Sequence, residues 1–180
     1  MLNLYPFSTF YLADIDALMG EAKQTNLITH LSRRFSRQTF WLDSGLKDQE
    51  PWEENIQPVI GSEYLTAADM SALEAKADPF ILSLDHQNGR FLGPSELIEN
   101  PKTWPQTIIW MDLSRVGSNK GPCPRGLMPS KEVLAGRHLI AAGGVRGDRD
   151  LLDLEAQGVD GVLVASALHF GHLSLAALQK

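Results

Sequence analysis

The stretch from Leu139 to Leu151, LIAAGGVRGDRDL, runs from an apolar segment into two adjacent glycines and then into a helical pattern. A glycine inside a strand weakens it, so a pair marks a tight turn or a place where something approaches the backbone closely. The apolar run does not alternate with polar residues, as expected for a strand buried on both faces in a parallel sheet. Asp148 stands where the following helix would be capped, and Gly158 where it would end.

The same unit recurs along the chain. Strand patterns fall at 9–14, 39–43, 57–61, 79–85, 107–112, 138–144 and 161–166, most of them apolar throughout. Helical patterns lie between and after them, at 26–35, 66–77, 94–100, 130–135, 148–157 and 173–180, with capping-box spacing between Thr66 and Asp69. Such alternation predicts an α/β fold, either a doubly wound sheet or a closed barrel with helices outside. The stretches DQEPWEENIQP and RVGSNKGPCPRGLMP follow strands and read as long loops on the carboxyl rim, not as domain boundaries.

Composition bounds the function. With 180 residues and 43% hydrophobic content, the chain suits one globular domain over 1–180. A net charge of −6 with no basic stripe argues against a nucleic-acid partner. The apolar runs are too short to span a membrane, and a lone Cys123 without a signal peptide predicts a cytoplasmic address.

Comparing strand ends exposes a two-fold repeat. LADIDALMG at 12–20 is echoed by WMDLSRVGS at 110–118, and LDSG followed by IGSEYL is echoed by AAGG followed by VASALH, in order but not in spacing. Each half thus carries small residues on two successive strand ends, offering backbone amides and a hydroxyl to an anion. Two such nests predict a ligand with two phosphates.

Taken together, ADIDA, SLDHQNGRFLGP, MDLSRVGSNKGP, IAAGGVRGDRDL and GVLVASALHFG resemble, in this order, the HisA/HisF family of histidine biosynthesis, and are most similar to its paralogues from the gene neighbourhoods of methanofuran and tetrahydromethanopterin metabolism. The resemblance implies a TIM-type (βα)8 barrel made of two phosphate-binding half-barrels, here without the first strand and helix. It implies one phosphate site at Gly45, Gly61 and Ser62 and another at Gly143, Gly144, Ala165 and Ser166. The family isomerase turns an aminoaldose into an aminoketose by an Amadori rearrangement, which needs an acid and a base facing each other across the substrate. Asp85 matches the family's acidic residue on its fifth strand. The partner aspartate belongs to the strand that is missing, and Met111 and Val116 stand where active isomerases carry a threonine and an aspartate. The expected function is therefore binding of a phosphorylated, ribotide-like metabolite with aldose–ketose isomerisation, or a diverged, non-isomerising role in C1-carrier metabolism. No cofactor is expected.

A barrel short of one strand would leave unpaired backbone between the strands of Tyr11 and Val164, an edge that a homodimer would cover. Asp14, Asp16 and Asp112 are candidate ligand contacts at strand ends, and His86 another on a rim loop. Arg115, Lys120, Arg125 and Arg146 are rim cations within reach of a phosphate. His169 and His172 have a spacing used by metal sites but lack further ligands, so no metal is expected. Trp41, Trp52, Trp104 and Trp110 read as packing residues, and nothing activates Cys123.

Overall fold

A computed structural model describes Tyr5, residues 7–45, 52–69, Leu73 and 79–178. Seven parallel strands form one sheet: β1 (Thr9–Ala13), β2 (Thr39–Asp43), β3 (Ile56–Gly61), β4 (Ile81–Gln87), β6 (Thr107–Asp112), β7 (His138–Ala142) and β8 (Gly161–Leu163). An eighth, β5 (Arg90–Leu92), folds back antiparallel on β4. The helices are α1 (Ile15–Leu18), α2 (Thr25–Arg34), α3 (Ser95–Glu99), α4 (Lys131–Leu134), α5 (Asp148–Glu155), α6 (Ser166–His169) and α7 (Leu175–Leu178).

The parallel strands neighbour one another in sequence order with no reversal. A doubly wound sheet has a switch point where that order turns back, so the arrangement is a nearly closed (βα) barrel. Tyr11 of β1 and Leu163 of β8, from the two ends of the sheet, pack against one interior cluster of Val59, Ile81, Ile109, Ile140 and Ala142. The register explains the cluster: Val59 pairs with Ile81, Ile109 with Ile140 and Ala142 with Leu163, so their side chains share the concave face. The alternate residues face outward, and Leu82, Leu84, Ile108 and Leu139 join helix residues Leu97, Leu134 and Leu154 in a second core. Burial on both faces is why these strands lack polar alternation. Among the described residues, β1 and β8 do not pair, and Tyr5 and Phe7 ahead of β1 pack on the β8 side against Ala167, Leu168 and Leu173.

Several expectations need adjustment. The strand expected to stop at Asp85 continues to Gln87, turns at Asn88 and Gly89 (φ +53° and +77°) and returns as β5. Two successive positive φ values are the geometry of a tight I′ hairpin, for which Asn-Gly is the favoured pair. Asp148 does not cap α5 but is its first residue, and its Oδ1 accepts the amide N–H of Ser174 at 2.9 Å. Gly158 (φ +86°) does follow that helix, and both the amide and hydroxyl of Thr66 donate to Asp69 Oδ2, at 2.8 and 2.6 Å. Of the helix expected over 66–77, the described part is a 3₁₀ turn at Ala67–Asp69 and helical Leu73; the remainder lies outside the described residues, as do 179–180 of the last helix.

Candidate functional site

The glycine pair sits where β7 ends, with φ of +103° at Gly143 and +80° at Gly144. A Cβ on Gly143 would lie 2.5 Å from the carbonyl oxygen of Asp112, and one on Gly144 would lie 2.1 Å from that of Gly121. What approaches this backbone so closely is thus the loop after β6. Asp112 ties that loop down: its Oδ1 accepts the amide of Ser114 at 3.2 Å and its hydroxyl at 2.5 Å, and its Oδ2 accepts Arg115 Nε at 2.9 Å. Arg115 also donates to the carbonyl of Gly121 at 3.0 Å. Arg146 is held by both oxygens of Asp150, which keeps that carboxyl below its usual range.

Gly143, Gly144, Ala165 and Ser166 come together on the wall of one cavity of about 630 Å³. Tyr11 and Met111 line it from the barrel interior. The cavity therefore runs between β8 and β1, lined by Thr9, Phe10 and Tyr11 on one side and Val162 and Leu163 on the other, with the ends of β6 and β7 at its carboxyl side. Catalytic and binding groups of (βα) barrels collect at this end because the loops there are free to vary while the strands hold their positions.

The other expected nest is built differently. Ser62 is fully buried, and its hydroxyl accepts the amide of Asp85 at 2.8 Å and donates to the carbonyl of Leu92 at 2.6 Å. Committed to the hairpin in this way, it has no hydrogen left for a phosphate. Gly61 leads into a single 3₁₀ turn, Ser62–Tyr64, and Gly45 follows β2 with φ +85° next to residues 46–51, which lie outside the described residues. Neither Gly45, Gly61 nor Ser62 lines the large cavity.

What surrounds this nest is acidic. Asp85, at 4% exposure, accepts the hydroxyl of Ser83 at 2.6 Å and has Ser62 Oγ and the Glu63 amide at 3.3 and 3.4 Å. Burial pushes its pKa up to about 6, and the charges of Glu63 and Asp43 add to that, against the opposing hydrogen bonds of Ser83 and the Glu63 amide. Asp43, at the end of β2, accepts the hydroxyl of Tyr11 at 2.7 Å. Burial raises its pKa as well, although the Tyr11 hydroxyl and the Gly45 amide favour its charged form. Its Oδ1 is buried with no hydrogen-bond partner among the described residues. The Tyr11 hydroxyl is pushed far up by burial and by Asp43, so it stays a donor.

The remaining candidates have partners within the fold or line the cavity. Asp14 caps α1, with Oδ1 on the amide of Ala17 at 3.2 Å and Oδ2 on that of Gln24 at 2.8 Å, while Asp16 accepts the side-chain amide of Gln24. Both carboxylates thus organise the loop after β1, and Asp112 organises the loop after β6. His86 turns outward and stacks on Trp110 with ring centroids 4.1 Å apart. Trp104 and Trp110 are core residues, and burial pushes the Cys123 thiol up, away from reactivity. His169 and His172 line the cavity.

Tyr11, Asp43 and Glu63 escaped the reading of the sequence. Asp43 closes an apolar strand as Asp85 does, which was a usable signal, but its neighbours Ser44 and Gly45 drew attention to backbone instead of carboxylate. The link from Tyr11 to Asp43 spans 32 positions and follows only from β1 pairing with β2.

Parallel strands in sequence order around one apolar interior, with titratable groups at their carboxyl ends, define a (βα)-barrel protein. The chain belongs to the histidine biosynthesis protein family, whose profile matches residues 3–174. It is 29% identical over 178 residues to uncharacterized protein MJ0703 of Methanocaldococcus jannaschii, covering 93% of this chain and 74% of that one. It is 28% identical over 158 residues to a phosphoribosyl-substituted imidazole-4-carboxamide isomerase of Listeria welshimeri, covering 79% of this chain but 61% of the isomerase. A similarly named isomerase of Ruminiclostridium cellulolyticum is 40% identical over 72 residues, 39% of this chain and 29% of the relative.

Proposed function

We infer that this protein binds a phosphorylated, sugar-derived metabolite in the cavity between β6 to β8 and β1, and that Asp85 exchanges a proton with it. The phosphate sits against Gly143, Gly144, Ala165 and Ser166, and the sugar points toward Tyr11 and Met111. The observation that carries the reading is Asp85: a buried carboxyl on a strand end, with a pKa of about 6, which does not line the cavity itself but whose register partner Met111 does. A carboxyl titrating there can give or take a proton near neutral pH, which supplies one of the two proton-transferring groups that aldose–ketose isomerisation requires. The names of the isomerase relatives point the same way.

A diverged, non-isomerising paralogue is the second reading, with C1-carrier metabolism as its expected setting. Met111 and Val116 favour it, because both line the cavity with apolar side chains where the isomerase resemblance calls for polar ones.

A thermal-shift screen with ribotides and sugar phosphates tests the binding, since a ligand selective for the native state raises its apparent stability. Ser166→Asp is the informative variant, placing a charge against the phosphate; an unchanged ligand shift in it would refute the assigned seat. Gly144→Asp is less useful, because any side chain at 144 collides with the Gly121 carbonyl. Incubation with a binding ribotide in D2O separates the two readings: exchange at the sugar carbon, abolished by Asp85→Asn, supports isomerisation, and tight binding without exchange supports the second.

A further inference from the structure

Among the described residues, the wall of the large cavity carries no Lys, Arg, Asp or Glu. Two cations of the neighbouring loops are spent elsewhere, Arg115 on Asp112 and the Gly121 carbonyl, and Arg146 on both oxygens of Asp150. What the wall does carry is His169 and His172, while His30, His86 and His138 lie off it. The end of α6 explains why these two come together. Gly171, with φ +67°, closes the helix in a left-handed turn: its amide donates to the Leu168 carbonyl at 3.1 Å, and the amide of His172 reaches back to the Ala167 carbonyl at 2.8 Å. The chain thus returns His172 to the level of Ala167, next to Ser166, and His169 follows Ser166 by three positions, a spacing that makes neighbours on a helix surface. The Phe170 and His172 rings lie against each other with centroids 5.9 Å apart.

A phosphate seated against backbone and one hydroxyl, in a wall otherwise largely apolar, lacks a counter-charge, and an unpaired anion is costly there. Histidine is the side chain that supplies such a charge below neutral pH and withdraws it above. The charged groups on the elements around α6 have other partners. On α5, Asp148 accepts the Ser174 amide, Arg146 and Asp150 close on each other, and Arg149 pairs with Asp153. On β1, the Tyr11 hydroxyl donates to Asp43, and the loop after β6 reaches the cavity with the uncharged Val116, Gly117 and Asn119. Among the described residues, no carboxylate forms an ion pair with either ring. We propose that His169 and His172 are the cationic partners of the ligand's phosphate, so that the protein holds the anion in mild acid and loosens its grip as the pH rises. The proposal rests on the phosphate seat inferred above and adds the charge that this seat lacks.

Calorimetric titration of the full chain with sodium sulfate at constant ionic strength tests it, because sulfate stays a dianion across the range in which histidine titrates. Sulfate is expected to bind at least about tenfold more tightly at about pH 5.5 than at about pH 8, the size of one charge-assisted hydrogen bond. Linkage is reciprocal, so saturating sulfate is expected to raise the titration midpoints of the two imidazoles, followed by NMR, by about one pH unit between them. His169→Gln and His172→Gln each flatten the dependence and the double variant removes it; both residues are exposed, so the fold is retained. A wild-type affinity that does not change with pH, or a change that survives the double variant, overturns the proposal. So does a change that Asp85→Asn abolishes, since Asp85 titrates in the same range but does not line the cavity. If sulfate and ribose 5-phosphate bind equally well at both pH values and Ser166→Asp stops both, the phosphate seat stands and the histidine role fails. If neither binds at either pH, or if histidine-dependent binding is untouched by Ser166→Asp, both fail.

Discussion

At the scale of single residues, this protein places charge where it destabilises the fold. Asp43 holds a buried carboxylate with one oxygen unpaired among the described residues, an arrangement that packing alone would not favour. Asp43→Asn removes the burial penalty yet keeps the Tyr11 hydrogen bond, so it is expected to raise stability in urea at pH 7 by about 1–3 kcal/mol. A loss of stability would show that the carboxylate is a structural group. Gly144 is the reverse case. Its backbone lies in the left-handed region and a Cβ would overlap the Gly121 carbonyl, so Gly144→Ala is expected to cost about 2–4 kcal/mol. Gly117, also at positive φ but with open space around it, is expected to cost only about 1 kcal/mol on the same change, and paired denaturation curves compare the two.

At the scale of elements, the β4–β5 hairpin is the device that closes the nest at Ser62. It brings the Leu92 carbonyl onto the Ser62 hydroxyl, and Gly93 packs so tightly behind it that a Cβ would be 2.7 Å from the Ser62 carbonyl. Gly89→Ala strains the Asn88-Gly89 turn without a clash and is expected to cost about 1 kcal/mol. Gly93→Ala is expected to cost more and to speed hydrogen exchange at the Asp85 amide, which Ser62 otherwise holds. Equal effects of the two would mean that the hairpin does not anchor Ser62. In the other half, the loop after β6 is fastened by Asp112 and Arg115, and it carries Val116 and Asn119 to the cavity rim. Similar strand ends have thus become a sealed corner in one half and a cavity wall in the other.

For the whole molecule, the titration of the site is expected to appear in its stability. The pKa of Asp85 is raised from 3.8 to about 6, so the folded chain binds its proton more tightly than the unfolded chain. The stability this contributes is fully present below about pH 4 and is lost as the pH rises through 6, a span worth roughly 3 kcal/mol. Asp43 adds in the same sense. Asp150, held down by Arg146, acts oppositely, its contribution disappearing in acid. Urea midpoints measured from pH 4 to 7 are expected to fall less steeply in Asp85→Asn than in the wild-type chain. The unpaired edges of β1 and β8 bear on assembly, and light scattering tests the expectation of a second copy there: twice the chain mass supports it, and a stable monomer refutes it.

The sequence by itself determined an alternating α/β fold with a parallel sheet, because double-faced burial writes apolar strands and helical periods into the chain; the choice of barrel over doubly wound sheet came with the family resemblance and with the strand order. The glycine pair after β7 and the acid at position 85 were legible for the same reason: local backbone and strand-end chemistry need only adjacent residues. Even the hairpin was present as Asn-Gly, a signal hidden by reading Asp85 as the end of its strand. What tertiary structure alone decided was the use of each polar group. Ser62 donates to the Leu92 carbonyl, and Asp14 and Asp112 fasten the loops that follow their strands, partnerships that no local pattern announces. Tyr11, Asp43, Glu63 and Asp85 lie far apart in the chain, and their common field arises only when neighbouring strands set their ends side by side.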